Sequence, residues 1–387
     1  MSDRFSEFAD AMARPVKPAA VTTKALDRVA ILGGGTDARL LAALALAEGA
    51  ETRLFTAYGD ELSAMQNGIV LRGAGPVGSY QVNADGAPSV LASAELDATV
   101  KAADVIFLTG PVHKQRTYAM VLADHLVDGQ MLVLAPGRTF GALETRWLLG
   151  IGGCTADISI AEAGTLPYWA TAWGATLNLS PAAGCCMGTL SGGNATGLAT
   201  LLPHAESATS TMASSFADGS GLAEVPTLLL GGPAVSDGGP SIPMGGSSLA
   251  ENETFRNLIG AEHQTVIEAL AEERKETARR FGVRGLPETD AWLDVFAGAH
   301  SGDGSRPIPN QEEAHRILRD AVIGSLVPLT SAAALAGVPT PNTNAMITLA
   351  SSVLKADLAT AGRKLPAMGV DGDNPDAARR ILEEATR

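Results

Sequence analysis

Residues 28–47, RVAILGGGTDARLLAALALA, decide the fold. An apolar run breaks at three glycines and resumes as a small-residue segment with helical spacing, so it reads as strand, tight turn and helix. Gly33, Gly35 and Ala38 match G-x-G-x-x-A in the strand-to-helix context that gives this pattern a mechanism. Gly33 permits the turn, Gly35 lets backbone approach a pyrophosphate, and Ala38 lets helix pack on strand. The amides of Thr36 and Asp37 open the helix, where unpaired donors face an anion. The stretch predicts a bound dinucleotide.

Outward from this turn the pattern repeats. Strands are expected at 52–56, 104–110 and 131–137, with helices over 37–48, from 60, over 92–102, over 114–126 and from 141, and hairpin material in GIVLRGAG and SYQVNAD. Continuous apolar strands alternating with helices indicate a parallel sheet covered on both faces, so residues 27–200 read as a doubly wound α/β domain. Residues 201–387 read as a mainly α-helical domain, with a Gly/Pro-rich loop over 216–248 around the apolar TLLL. Residues 1–26 form a leader in which Phe5, Phe8 and Met12 line one side of a short helix ended by Pro15 and Pro18.

Composition narrows the function. With 387 residues and a formal charge of −14, a nucleic-acid or anionic-membrane surface is disfavoured, and small molecules or a second copy in a homodimer are the expected partners. Cys154, Cys185 and Cys186 form no disulfide framework and read as small buried hydrophobes, which suits a reducing cytoplasm. No apolar run reaches the ~20 residues of a membrane span. HExxH, EF-hand and P-loop patterns are missing, so no metal is expected, and Asp371, Asp373 and Asp376 read as a loop and helix cap.

The second strand ends in Thr56, where a carboxylate often meets the ribose 2′-hydroxyl; the nearest acids, Asp60 and Glu61, start the next helix. A threonine accepts NAD or NADP, with a slight lean to NADP.

Four further segments carry a resemblance: DVIFLTGPVHKQRTYAMVLADHL (104–126), DGQMLVLAPGRTFGALE (128–144), IAEAGTLPYWA (160–170) and HRILRDAVIGSLVPLTSAAALAGVPTPNTNAMITLA (315–350). Together they resemble the opine (octopine/nopaline) dehydrogenase family, most specifically in the PGRT turn and the LVPL to GVPTP block. The resemblance implies a Rossmann-type domain followed by a helical one, with substrates in the cleft between them. It implies reversible NAD(P)H-dependent condensation of an amino acid with a 2-oxo acid, its proton handled by a His/Asp pair.

By the same resemblance Arg316 grips the oxo acid's carboxylate, and Glu162 meets the amino acid's cationic group or is a buried structural acid. Pro111 lies near the nicotinamide, with His113 beside it. The family aspartate position holds Ala321, with Asp320 one place earlier and turned by about 100° on a helix. Glu224 is the loose counterpart of the family histidine, and His204 is a further candidate base. His263 and His300 read as solvated, and His315 as pointing away from Arg316. Two alternatives stay open: a hydroxy or amino acid dehydrogenase without condensation, and an inactive dinucleotide-binding protein.

Overall fold

The computed structural model describes residues 27–86, 88–183, 210–230 and 254–370, the backbone of 185–189 and 205–207, and a few single positions between 198 and 208 and between 376 and 380. The leader, His204, residues 231–248, Asp371, Asp373 and the side chains of Cys185 and Cys186 lie outside the described residues.

The strand predicted at the Gly-rich turn is β1 (Arg28–Leu32), buried at every residue after Arg28. It pairs in parallel with β2 (Glu51–Phe55) on one side and with β6 (Val105–Leu108) on the other. Parallel pairing continues outward to β7 (Met131–Leu134) and β8 (Ser159–Ala163), and from β2 to β5 (Ser89–Ser93). The chain thus leaves β1 for β2 on one flank and later returns to β6 on the other, and that reversal opens a crevice at the β1 C-terminus. Beyond β5 come β4 (Gly78–Val82) and β3 (Ile69–Gly73), an antiparallel pair, then the hairpin of β10 (Thr176–Pro181) and β9 (Tyr168–Trp173). The opposite edge carries β11 (Cys185–Thr189), antiparallel to β8, and β12 (Ala205–Ser207).

Period-two alternation of fully apolar strands gives the sheet two cores. Val29, Ile31, Val105, Phe107 and Val133 point to one face, against Leu40, Leu41 and Leu44 of α1 (Thr36–Ala47). Ala30, Leu32, Ile106, Leu108 and Leu132 point to the other, against α4 (Val112–Leu122) and α5 (Gly141–Ile151). Each buried Leu or Phe stabilises by roughly 1.5–3 kcal/mol, so this two-faced cover dominates the sheet's stability. Between them lie the short helices α2 (Gly59–Ala64) and α3 (Leu96–Val100). The expected helix over 92–102 is a correction: β-branched Val90 and its neighbours extend the sheet to Ser93, and only 96–100 are helical.

The helical half comprises α6 (Thr211–Ala217), α7 (Ser220–Leu230), α8 (Ala261–Arg280), α9 (Thr289–Phe296), α10 (Gln311–Ala321), α11 (Val327–Ala336), α12 (Pro341–Leu354) and α13 (Leu358–Ala361). The loop expected from 216 is corrected over its first part: glycine is tolerated where α7 packs closely, since a Cβ on Gly221 would meet Ser325 and Leu326. Asn310 caps α10 by accepting the Glu313 amide at 2.9 Å, and Gly337 ends α11 in the left-handed region, φ 65°. Between α10 and α11 lies one π-helical turn, Val322–Leu326. Widened turns free backbone carbonyls. Here Ile323 O accepts from Arg363 N at 3.1 Å and Gly324 O from Thr139 N at 3.0 Å. The run 311–336 is long and apolar enough to cross a membrane, but 72% of its apolar window is buried within the protein.

Candidate active site

The turn after β1 is built from backbone. Gly33 adopts φ +127°, and a Cβ there would collide with Thr109 Oγ1; glycine is required on both counts. Nothing stands within 4 Å of the Cβ that Gly35 lacks, so open space faces the start of α1. A pyrophosphate fits that space, with the first amides of α1 as its donors.

At the end of β2 the threonine is not free. Thr56 is fully buried and its hydroxyl is bonded to the Glu61 carboxylate. Glu61 in turn lies over Gly34 and pairs with Lys114 Nζ at 3.0 Å, while Lys114 sits 4.3 Å over the Tyr58 ring. A carboxylate therefore stands beside the phosphate turn, delivered from α2 rather than from the strand.

The helical half closes the crevice over a cavity of about 300 Å³. Its walls include Asp37 from α1, Pro136 and Arg138 from the PGRT turn, Trp169 from β9, Glu224 from α7, and Arg316 and Ile317 from α10. The PGRT turn is tightly wound: Arg138 and Phe140 both adopt left-handed backbone, φ 58° and 59°. Strain of that kind, of order 1–3 kcal/mol per residue, persists only where surrounding contacts fix it. Those contacts are explicit. A Cβ on Gly137 would collide with Glu162, Arg363 Nη1 donates to Gly137 O and Thr139 O at 3.0 and 3.1 Å, and the π-turn holds Thr139 N.

The turn aims Arg138 into an ion cluster. Its Nη1 donates to Ser220 Oγ at 2.7 Å and to Glu224 Oε2 at 3.1 Å, and its Nε lies 3.5 Å from Asp320 Oδ2. Burial works against the charge of Arg138, but Glu224, Asp320 and Asp218 hold its pKa above the ordinary value. Glu224 also accepts from Arg306 Nη2 at 2.8 Å, and the Arg306 guanidinium is sandwiched 4.7 Å from Trp169 and 4.3 Å from Phe255. Asp320 Oδ1 accepts the Val112 amide at 2.8 Å, so it ties α10 to the start of α4, just after Gly110 and Pro111.

The structure thus brings Asp37, Glu224 and Arg316 to one cavity, with Asp320 directly behind Arg138. It does not bring Glu162 there. The Glu162 carboxylate is buried and accepts from the Ser214 and Ser215 hydroxyls and from Ala142 N. Burial raises its pKa while those donors oppose the shift. It serves as the structural acid of the two alternatives, except that hydroxyls join the amide. His113 is exposed on the first turn of α4 and does not line the cavity.

Arg316 is the cleft cation with the weakest ties. Its side chain is 47% exposed, and among the described residues its one ion pair, to Glu313 on the same helix, spans 3.3 Å. The solvated reading of His263 is corrected: it is buried, and its Nδ1 accepts the Gly260 amide at 3.1 Å, which folds the ring back onto the start of α8. His300 is exposed beside Asn257, and Cys154 is half-buried rather than buried.

Two cleft residues escaped the sequence reading. Arg138 carried a signal in the PGRT turn, yet nothing there reveals that its head reaches Glu224, 86 positions away. Arg306 sits in the polar loop SGDGSRPIPN, where an arginine gives no sign of burial between two aromatic rings. Among the described residues no group of three His, Cys, Asp or Glu side chains converges to hold a metal ion.

Residues 208–354 match the family described as NAD/NADP octopine/nopaline dehydrogenase, alpha-helical domain. Over 373 residues, 92% of this chain and 98% of the relative, the sequence is 24% identical to an opine dehydrogenase of Arthrobacter sp. (strain 1C). Among solved structures, octopine dehydrogenase with NADH and pyruvate aligns at TM-score 0.66 and 18% identity, covering 92% of this chain and 98% of that one. Yersinopine dehydrogenase with NADP+ bound aligns at TM-score 0.60 and 15% identity, covering 93% and 98%.

Proposed function

We propose that this chain, a divergent member of the opine dehydrogenase family, is an NAD(P)H-dependent oxidoreductase that joins the amine of an amino acid to a 2-oxo acid and runs the reverse oxidation. One observation carries this reading: Asp37, at the start of the helix that follows the open phosphate turn, and the exposed guanidinium of Arg316 line one half-open cavity from opposite halves of the chain. A dinucleotide on one wall and a carboxylate on the other meet there.

The residues divide the work. Gly33, Gly35 and Ala38 with the Thr36 and Asp37 amides hold the pyrophosphate, and Pro111 flanks the nicotinamide end. The bound reduced cofactor supplies hydride to the imine carbon. Arg316 takes the oxo acid's carboxylate by its guanidinium fork. Trp169, Phe296, Ile308 and Ile317 line the cavity and exclude water, which strengthens each charge interaction within it. The ions of Arg138, Arg306, Glu224 and Asp320 pair with one another and tie the two halves together.

For the cofactor we favour NADH over NADPH, reversing the lean drawn from Thr56 alone. The Glu61 carboxylate, held by Thr56 over Gly34, suits a ribose 2′-hydroxyl and repels a 2′-phosphate. The close Lys114 offsets part of that repulsion, so the preference is one of degree.

The test is fluorescence titration with NADH and NADPH, followed by cofactor oxidation on pairs of amino acids and 2-oxo acids. Turnover that requires both partners is expected; cofactor binding with no turnover on any pair would leave only a dinucleotide-binding protein. Arg316→Ala should weaken oxo acid binding by about tenfold or more, the scale of one charged hydrogen-bonded contact, with NADH affinity within about twofold. Equal loss of both would remove Arg316 from a separate substrate site.

A further inference from the structure

Each acid at or near the cavity, with one exception, is committed to a partner. Glu224 is shared by two guanidiniums, Asp320 by the Val112 amide and Arg138, and Glu313 by Arg316; Glu162 is bonded to two hydroxyls and an amide outside the cavity. Asp37 is the exception. It lines the cavity from the first turn of α1, half-buried, and among the described residues it accepts no hydrogen bond and closes no ion pair. From α10 it faces Arg316, Glu313 and Asp320, and from the PGRT turn it faces Arg138.

We propose that Asp37 is the proton-handling group of the cleft, moving one proton from the amine substrate to the hydroxyl that leaves. The assignment rests on the condensation reading above, which requires such a group. The ammonium gives a proton to the Asp37 carboxylate, and its nitrogen lone pair forms the bond to the oxo acid's carbonyl carbon. After the new nitrogen loses its second proton to the forming hydroxyl, Asp37 returns the first one, the carbon–oxygen bond breaks, and water departs. One iminium and one water result, with charge conserved and Asp37 regenerated before reduction.

The environment suits that cycle. Burial raises the Asp37 pKa, with Glu313 and Asp320 adding to the shift and Arg316 and Arg138 opposing it. A carboxyl moved toward neutrality both takes and returns a proton more readily than an ordinary aspartate. Because the ionised form starts the cycle, the rate should fall as pH drops through the raised pKa, above the usual carboxylate range of ~3.9.

The experiment uses the full chain and its Asp37→Asn and Asp37→Glu forms. It measures NADH affinity by fluorescence, proton exchange on binding of the oxo acid and amine to the NADH complex by calorimetry in two buffers, and kcat against pH. Asp37→Asn keeps the backbone amide of the phosphate turn, so NADH should bind at least as tightly as to the parent once the nearby carboxylate charge is gone; the variant should lose the proton exchange and the acid limb and lower kcat by roughly 100-fold or more, and Asp37→Glu should recover part of the rate. An Asn variant that keeps the acid limb and most of its rate, or that recovers fully at saturating NADH, overturns the role of Asp37 and leaves the condensation reading intact. A parent chain that binds NADH but turns over no amine and oxo acid pair overturns the reading and this step together.

Discussion

The turn at Gly33–Ala38 and the floor of the cleft around Arg138 solve opposite problems with opposite materials. The turn leaves space: it removes side chains, exposes amides and offers donors to a ligand. The floor removes space, bringing long charged side chains from the PGRT turn, α7, α10 and the loop before α10 into mutual contact with few free donors. One site tolerates no added atom and the other tolerates no missing one. The lesson is that ligand binding here rests on what a few adjacent residues omit, whereas alignment of the halves rests on what distant residues supply.

Substitutions can break this contrast in turn. Arg138→Met should have the largest effect, since it strands the buried Asp320 and deprives Glu224 of one of two cations; about 3–5 kcal/mol of stability should be lost in urea unfolding. Loss below about 1 kcal/mol would mean that the floor is not what joins the halves. Gly33→Ala should destabilise by about 1–3 kcal/mol, from a positive φ and the clash with Thr109, and should also remove most NADH affinity. Undiminished NADH binding by a folded variant would locate the phosphate elsewhere. Glu61→Gln should act most mildly, leaving the unfolding midpoint near its original value while raising NADPH affinity relative to NADH by about tenfold, roughly 1.4 kcal/mol. An unchanged ratio would detach Glu61 from the ribose.

The same contrast explains what could be read from sequence. The Gly-rich turn, its strand and its helix are contiguous, and their logic lies in spacing, so β1, β2, β6, β7 and the two-faced cover were legible. The strand expected at 52–56 ends one residue earlier, so Thr56 directly follows β2, and its bond to Glu61 depends on how α2 folds back, which no local pattern encodes. Glu162 in IAEAG and Glu224 in LAEVP both stand among apolar neighbours in the sequence. Only tertiary packing distinguishes the one bonded to hydroxyls from the one clamped by two arginines. The helix expected over 92–102 overlaps the end of β5 because the small and apolar residues there suit helix and strand alike; only pairing with β2 and β4 makes Ser89–Ser93 a strand.

The π-turn at Val322–Leu326 also bears on how this chain can change length. A π-turn equals an α-helix with one residue inserted, so the run 311–336 carries one more residue than a straight helix between the same anchors would hold. Deleting a single codon within it would restore a regular ladder at no cost in helix continuity. It would leave α10 and α11 in phase, so Arg316 and Asp320 would stay at the cleft, but the carbonyls of Ile323 and Gly324 would return to the helix ladder and release Arg363 N and Thr139 N. In-frame loss there is therefore silent for secondary structure yet unfastens the PGRT turn that aims Arg138, which makes the extra residue a clasp between the helix and the loop rather than a part of either.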